Sequence, residues 1–105
     1  MYLAAIVTYD PKLAVLLVKG AEDRTTSALR RRAMSAALHA TKDVCVDLSG
    51  LRFADPSLMI DLAVLAQRLR AEGRLVRLRG PQPQVRRLIE LIGLDRQPAV
   101  AVDAS

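Results

Sequence analysis

The stretch that decides the fold is Val44-Cys45-Val46-Asp47-Leu48-Ser49-Gly50-Leu51-Arg52-Phe53-Ala54-Asp55-Pro56-Ser57-Leu58-Met59-Ile60-Asp61-Leu62. It begins with a short, valine-rich apolar run, which predicts a buried strand over residues 44–48. A loop follows, and then Asp55-Pro56-Ser57 opens a helix. Aspartate can accept a hydrogen bond from the free N–H groups of a first turn. Proline suits the first helical position because it has no N–H to lose there, and the serine puts a hydroxyl in the same turn. Leu58, Met59, Leu62, Leu65, Ala66 and Leu69 then recur on one stripe, predicting a helix over residues 56–72 that Gly73 ends.

Upstream, residues 3–8 read as a first strand. Tyr9-Asp10-Pro11-Lys12 is a turn, because Asp before Pro favours turn initiation and proline presets φ. Residues 13–19 (Leu-Ala-Val-Leu-Leu-Val-Lys) form a continuous apolar run, the pattern of a strand buried on both faces, and the short turn pairs the two runs as an antiparallel hairpin. Gly20 to Asp23 break the strand, with Asp23 placed to cap a helix over residues 24–40. Its apolar set is Ala28, Leu29, Ala33, Ala36, Ala37 and Leu38, with arginines between, and His39 lies in the last turn. Downstream, residues 74–79 read as a strand, Gly80-Pro81 as a break, and residues 83–92 as a helix with Val85, Leu88, Ile89 and Ile92 inward, stopped by Gly93. Residues 99–102 make a last short strand, and residues 103–105 are expected to fray. The order predicts one α/β domain over residues 1–105. Its small mixed sheet has an N-terminal hairpin followed by parallel strands from β-α-β units, with helices packed on it.

Composition narrows the function. The chain has 105 residues, of which 51% are hydrophobic and only 3% aromatic, so its core is aliphatic. No apolar run approaches the roughly 20 residues that span a bilayer, so membrane insertion is not expected. The start, Met1-Tyr2-Leu3-Ala4-Ala5, lacks the basic opening and apolar centre of a signal peptide, and a cytoplasmic location follows. The single cysteine, Cys45, forms no internal disulfide and reads as a small buried hydrophobe; no Cys/His cluster suggests a metal. Net charge is +5, and all basic residues except Lys12, Lys19 and Lys42 are arginines. They are spread along the chain without interleaved aromatics for base stacking, so direct nucleic-acid binding is not expected.

Catalytic patterns are missing. Gly50 is the only glycine in the strand-to-helix loop, so neither the dinucleotide fingerprint nor the P-loop is present. Ser57 lies between Pro56 and Leu58 rather than between the glycines of a nucleophile elbow. Asp47, Asp55 and Asp61 are the nearest to a carboxylate set. Each has a structural reading: a strand-end carboxylate bonding loop amides, a helix cap, and a solvated charge off the apolar stripe that suits the helix dipole. His39 reads as a surface residue at a helix end. No catalytic residue, cofactor or metal is assigned, and the protein is not expected to be an enzyme. Ser57 remains a candidate phosphorylation site, since the free N–H groups of a first helical turn favour a phosphate.

Three segments, in order, resemble the STAS domain family of the anti-sigma factor antagonists. They are Leu16-Leu17-Val18-Lys19-Gly20-Ala21-Glu22-Asp23, then residues 44–55, then Gly73-Arg74-Leu75-Val76-Arg77-Leu78-Arg79-Gly80-Pro81 with Val85-Arg86-Arg87-Leu88 and Gly93-Leu94-Asp95. The resemblance implies a STAS-like fold and a non-catalytic role in sigma-factor signalling. In the antagonists, the loop aspartate is followed by a serine, a second hydroxyl residue, glycine and leucine. The first serine is phosphorylated by the cognate anti-sigma factor, a serine kinase; the unphosphorylated form binds that kinase and frees the sigma factor. Here Pro56 stands at the acceptor, Ser57 at the second hydroxyl, Leu58 at the glycine and Met59 at the leucine, while Asp23 and Asp55 match. The resemblance thus implies a partner-binding face of Asp23, Asp55, Pro56, Ser57, Leu58 and Met59, and an anti-sigma factor as partner. It leaves open a homodimer, and it leaves open the role of an accessory subunit in a membrane transport system. Proline carries no hydroxyl, so the usual switch position cannot be phosphorylated.

Overall fold

The computed structural model describes residues 5–21 and 26–103. Its elements run β1 (Ile6–Asp10), β2 (Val15–Ala21), α1 (Ser27–Ala37), β3 (Val44–Asp47), β4 (Leu51–Phe53), α2 (Pro56–Arg70), β5 (Val76–Arg79), α3 (Pro83–Ile92), a 3-10 turn (Leu94–Arg96) and β6 (Val100–Asp103). The sheet order is β1-β2-β3-β5-β6, with β4 off this path and paired to β2. β1 and β2 are the antiparallel hairpin, in register Val7 with Val18 and Tyr9 with Leu16; every other pairing is parallel. The mixed α/β sheet expected from the sequence is therefore the one observed.

One constraint explains where the helices lie. From β2 to β6 the strand order advances in one direction and never reverses. Right-handed crossovers then carry α1, α2 and α3 to the same face of the sheet. That face is the core: Leu16, Val18, Val44, Val46, Val76 and Leu78 are buried beneath Leu58, Met59, Leu62, Leu65 and Leu69 of α2. The other face carries Val15, Leu17, Cys45 and Asp47, half-buried, and Arg77 and Arg79, exposed. A sheet that never reverses also lacks the crevice at a topological switch point, where open α/β sheets commonly bind dinucleotides.

Several expectations shift. β2 is not buried on both faces: Leu16 and Val18 are fully buried, but Val15 and Leu17 lie on the open side. Cys45 lies there too and is half-buried rather than core, although burial still pushes its thiol pKa up. The hairpin turn sits later than predicted, with β1 running to Asp10 and β2 starting at Val15, and the Asp10 carboxylate organises that turn. It accepts from the N–H groups of Lys12 (2.9 Å) and Leu13 (3.2 Å), which carries β1 through to Asp10. Helix α1 is shorter than predicted, with Thr26 as its N-cap; Asp23, the predicted cap, lies outside the described residues. His39 falls past the helix end, where its Nδ1 lies 3.2 Å from the Ser35 carbonyl oxygen. In α3, Val85 and Ile89 are buried as expected. Leu88 is only half-buried, and Ile92, the last helical residue, is exposed. Gly93 makes that stop with φ 84°, a conformation that costs a β-carbon but not a glycine.

Strand β4, unpredicted, follows a tight crossing at Gly50. The Gly20 N–H donates to the Gly50 carbonyl (2.9 Å), and a β-carbon on Gly50 would sit 2.9 Å from Lys19 Cβ. The loop thus packs backbone to backbone on β2, and β4 continues along it with Gly20 opposite Leu51. Two substitutions calibrate the core. Leu62→Ala, at a fully buried position under the sheet centre, should cost about 3 kcal/mol in chemical denaturation. Ile60→Ala, two residues away on the exposed side of the same helix, should stay within roughly 0.5 kcal/mol.

Candidate functional site

The start of α2 is fixed by its own sequence. Asp55 is extended (φ −70°, ψ 139°), and its carboxylate accepts from the Ser57 N–H at 2.9 Å, with Pro56 in the first turn. The Asp55 carbonyl accepts the first helical bond, from the Leu58 N–H (2.9 Å). Asp55 is therefore the cap its sequence context predicted.

Two side-chain contacts from elsewhere brace this turn. Arg30 of α1 is buried. Its Nε–H donates to Asp61 Oδ2 at 2.8 Å, and its Nη2–H donates to Ser57 Oγ at 3.0 Å. Ser57 and Asp61 are one helical turn apart on one face of α2, so a single guanidinium reaches both. Asp61 is thus not the solvated charge expected from sequence; it is a half-exposed partner to a guanidinium that is 6% exposed. Nothing in the sequence sets Arg30 apart from the helix's other arginines, yet residues 30, 33, 34 and 37 make a regular helical stripe whose other buried members are Ala33, Met34 and Ala37. Of the predicted apolar set, Ala28, Leu29 and Ala36 are exposed and Leu38 is half-buried.

The loop ahead of α2 is held from the other side. Gln82 Nε2–H donates to the Ser49 carbonyl (3.0 Å), and Gln84 Nε2–H donates to the Arg52 carbonyl (2.9 Å), tying α3 to the segment that includes β4. Asp47 turns the chain at the end of β3 by accepting from the Ser49 hydroxyl (2.7 Å) and N–H (3.0 Å). Those bonds, the hydroxyl's first, hold its carboxyl below the usual aspartate range. This is the loop-bonding role read for it from sequence.

The residues of the implied binding face divide. Asp55, Pro56 and Ser57 are at least partly exposed around the helix start, whereas Leu58 and Met59 are fully buried in the core and present nothing to a partner in this conformation. Asp23 lies outside the described residues. Pro56 also lines an apolar groove of ≈ 680 Å³ between the helix start and α3, with Phe53 and Leu91 among its other walls. Among the described residues, no cluster of three or more His, Cys, Asp or Glu side chains is placed to hold a metal, and no helix is long and apolar enough to cross a membrane.

With this geometry in hand, similarity to known proteins gives the class. Residues 7–102 match the family described as Mlab, STAS domain, and the chain belongs to that family. Its fold is shared with solved anti-sigma factor antagonists. SpoIIAA in its unphosphorylated form is similar at 19% identity with a TM-score of 0.69, over 96% of this chain and 89% of that one. An anti-sigma factor antagonist (STAS) domain protein from Planctomyces limnophilus is similar at 14% identity and a TM-score of 0.70, over 98% and 92%. A Thermotoga maritima protein assigned to the same class is similar at 15% and 0.69, over 95% and 86%. No curated protein matches this sequence.

Two measurements probe the brace. A double-mutant cycle between Arg30→Met and Asp61→Asn should return a coupling of about 1–3 kcal/mol in stability, and additive effects would show the pair to be idle. Asp47→Asn should lower stability at neutral pH. Because the folded pKa of Asp47 is depressed, its benefit is complete above about pH 4 and disappears as the pH falls through that lower folded value. Denaturation of wild type and variant should therefore converge in acid.

Proposed function

We propose that this protein is a non-catalytic binding module of the anti-sigma factor antagonist kind. It docks a kinase-type anti-sigma factor through the end of the molecule where α2 begins, and so releases a sigma factor. The reading is supported by the STAS-family match over residues 7–102, and its locked form by Pro56 in the first turn of α2, the position to which the family resemblance assigns the antagonists' phosphoacceptor serine. With no hydroxyl there, the protein stays in the binding-competent state whether or not the kinase has nucleoside triphosphate. Ser57, the neighbouring hydroxyl, accepts a bond from the Arg30 guanidinium and is half-buried, which makes it a poor displaced acceptor. Asp55, Pro56 and Ser57 then form the accessible part of the docking face.

The test is pull-down and intact-mass analysis with each kinase-type anti-sigma factor of the host, with and without ATP. Wild type should form a complex in both conditions and gain no phosphate. Pro56→Ser should gain one phosphate and then release the partner. Loss of the wild-type complex in ATP, together with a phosphate that Ser57→Ala abolishes, would overturn the locked state. A second reading, an accessory subunit of a membrane transport system, draws on the same proline and apolar groove, since a permanent contact needs no phosphate switch. Co-purification with a membrane complex, and no complex with any kinase, would favour it.

A further inference from the structure

The groove beside Pro56 has its own chemistry. Phe53, 60% exposed, and Leu91, 75% exposed, stand at its walls, with Ala54, Pro56 and Leu88 between them. Large apolar side chains gathered in one exposed place on a small protein mark an interaction surface. Among the described residues, Arg87 is the one charged side chain lining the groove, and no carboxylate lines it. Arg52, beside Phe53, is exposed as well, and the chain as a whole carries +5. A partner matched to this groove is therefore apolar along its centre and acidic at its flank.

The walls also select the shape of that partner. The Arg52 carbonyl of β4 already accepts from Gln84, so an added strand would meet an edge group that is taken. The wall on the α3 side is a helical ridge instead: Gln84, Arg87, Leu88 and Leu91 follow at three- and four-residue steps and face outward into the groove. Such a ridge packs into the groove between ridges of another helix.

We propose that the groove takes an amphipathic helix bearing acidic side chains, supplied by the protein partner. The apolar stripe of this helix lies against Phe53, Pro56, Leu88 and Leu91, and a carboxylate on its flank pairs with Arg87. The proposal rests on the reading of the chain as a partner-binding module, and it adds the form and charge of what is bound. Pro56 suits it, because a ring at that position extends the apolar wall.

Two synthetic peptides of roughly 16 residues, about four helical turns, test this. Both carry leucines along one face; one has glutamates on its flanks and the other lysines. Titrated into the full chain and followed by backbone amide NMR shifts, the glutamate peptide should move the signals of Phe53, Ala54, Arg87, Leu88 and Leu91. The lysine peptide should bind at least about tenfold more weakly. Arg87→Glu should reverse the preference and Leu91→Glu should abolish binding. Both positions are exposed, so amide dispersion should confirm that the variants stay folded. Equal affinity for the two peptides, shifts confined to the open sheet face, or a response to phosphatidylglycerol vesicles but to neither peptide would overturn the proposal. The two levels of the account separate in a pull-down. A kinase complex untouched by Arg87→Glu and Leu91→Glu would sink the groove and leave the binding role standing. Peptide binding without any kinase complex would keep the groove and remove the partner class.

Discussion

The accessible end of this molecule depends on where α2 starts. The Asp55 carboxylate on the Ser57 N–H, with Pro56 holding φ between them, sets the first turn. Everything nearby is registered to that turn. Leu58, Met59 and Leu62 fall inward under the sheet, and Ser57 and Asp61 fall together toward α1. Pro56 is left at the surface. The Arg30 guanidinium joins the two helices at the start of α2. A charge this buried is costly unless it is well bonded, and bonding it to two groups on one turn makes the spacing of α1 and α2 specific as well as stable. A pivot of α2 that opened the helix start would have to break that bonding.

The one-directional strand order has a second consequence. With all three helices on one face, the features that distinguish the molecule lie at one end of the sheet, where the loops before α2 and α3 meet. Gln82 and Gln84 tie those loops together, and the apolar groove runs between the elements they join. Phe53 and Leu91 remain exposed to water there, at opposite elements of the groove wall. Surface of this kind is kept for contact with something else.

Most of the fold was legible in the sequence because most of it is periodic. The buried stripe of α2 and the order of strands and helices other than β4 follow from spacing, and the breaks at Gly73 and Gly93 from glycine itself. What escaped detection had a physical reason in each case. In α1 the window is so rich in alanine that an apolar count cannot choose a phase. The true stripe includes Arg30, which a hydrophobicity pattern scores against burial. β4 has only three residues, too few for alternation to register, and backbone packing at Gly50 leads into it, with Leu51 its one core side chain. β2 looked buried on both faces because its apolar run is continuous, but the one-sided arrangement of helices leaves Val15 and Leu17 half open. At the site, the cap of Asp55 and the loop bonds of Asp47 could be read from local chemistry. The Arg30 brace and the glutamine ties could not, since their partners lie 27 to 33 residues away in sequence.

The central claim is that this protein works by contact at the end where α2 begins, and that no phosphate at position 56 gates it. Amide hydrogen exchange on a complex with the proposed anti-sigma factor partner measures this directly. The account predicts slowed exchange across residues 52–61 and 84–91, to the same extent with and without ATP, and none across the open sheet face. Protection confined to the open face at Val15, Cys45 and Arg77, or protection at the helix start that disappears once ATP is added, would contradict it.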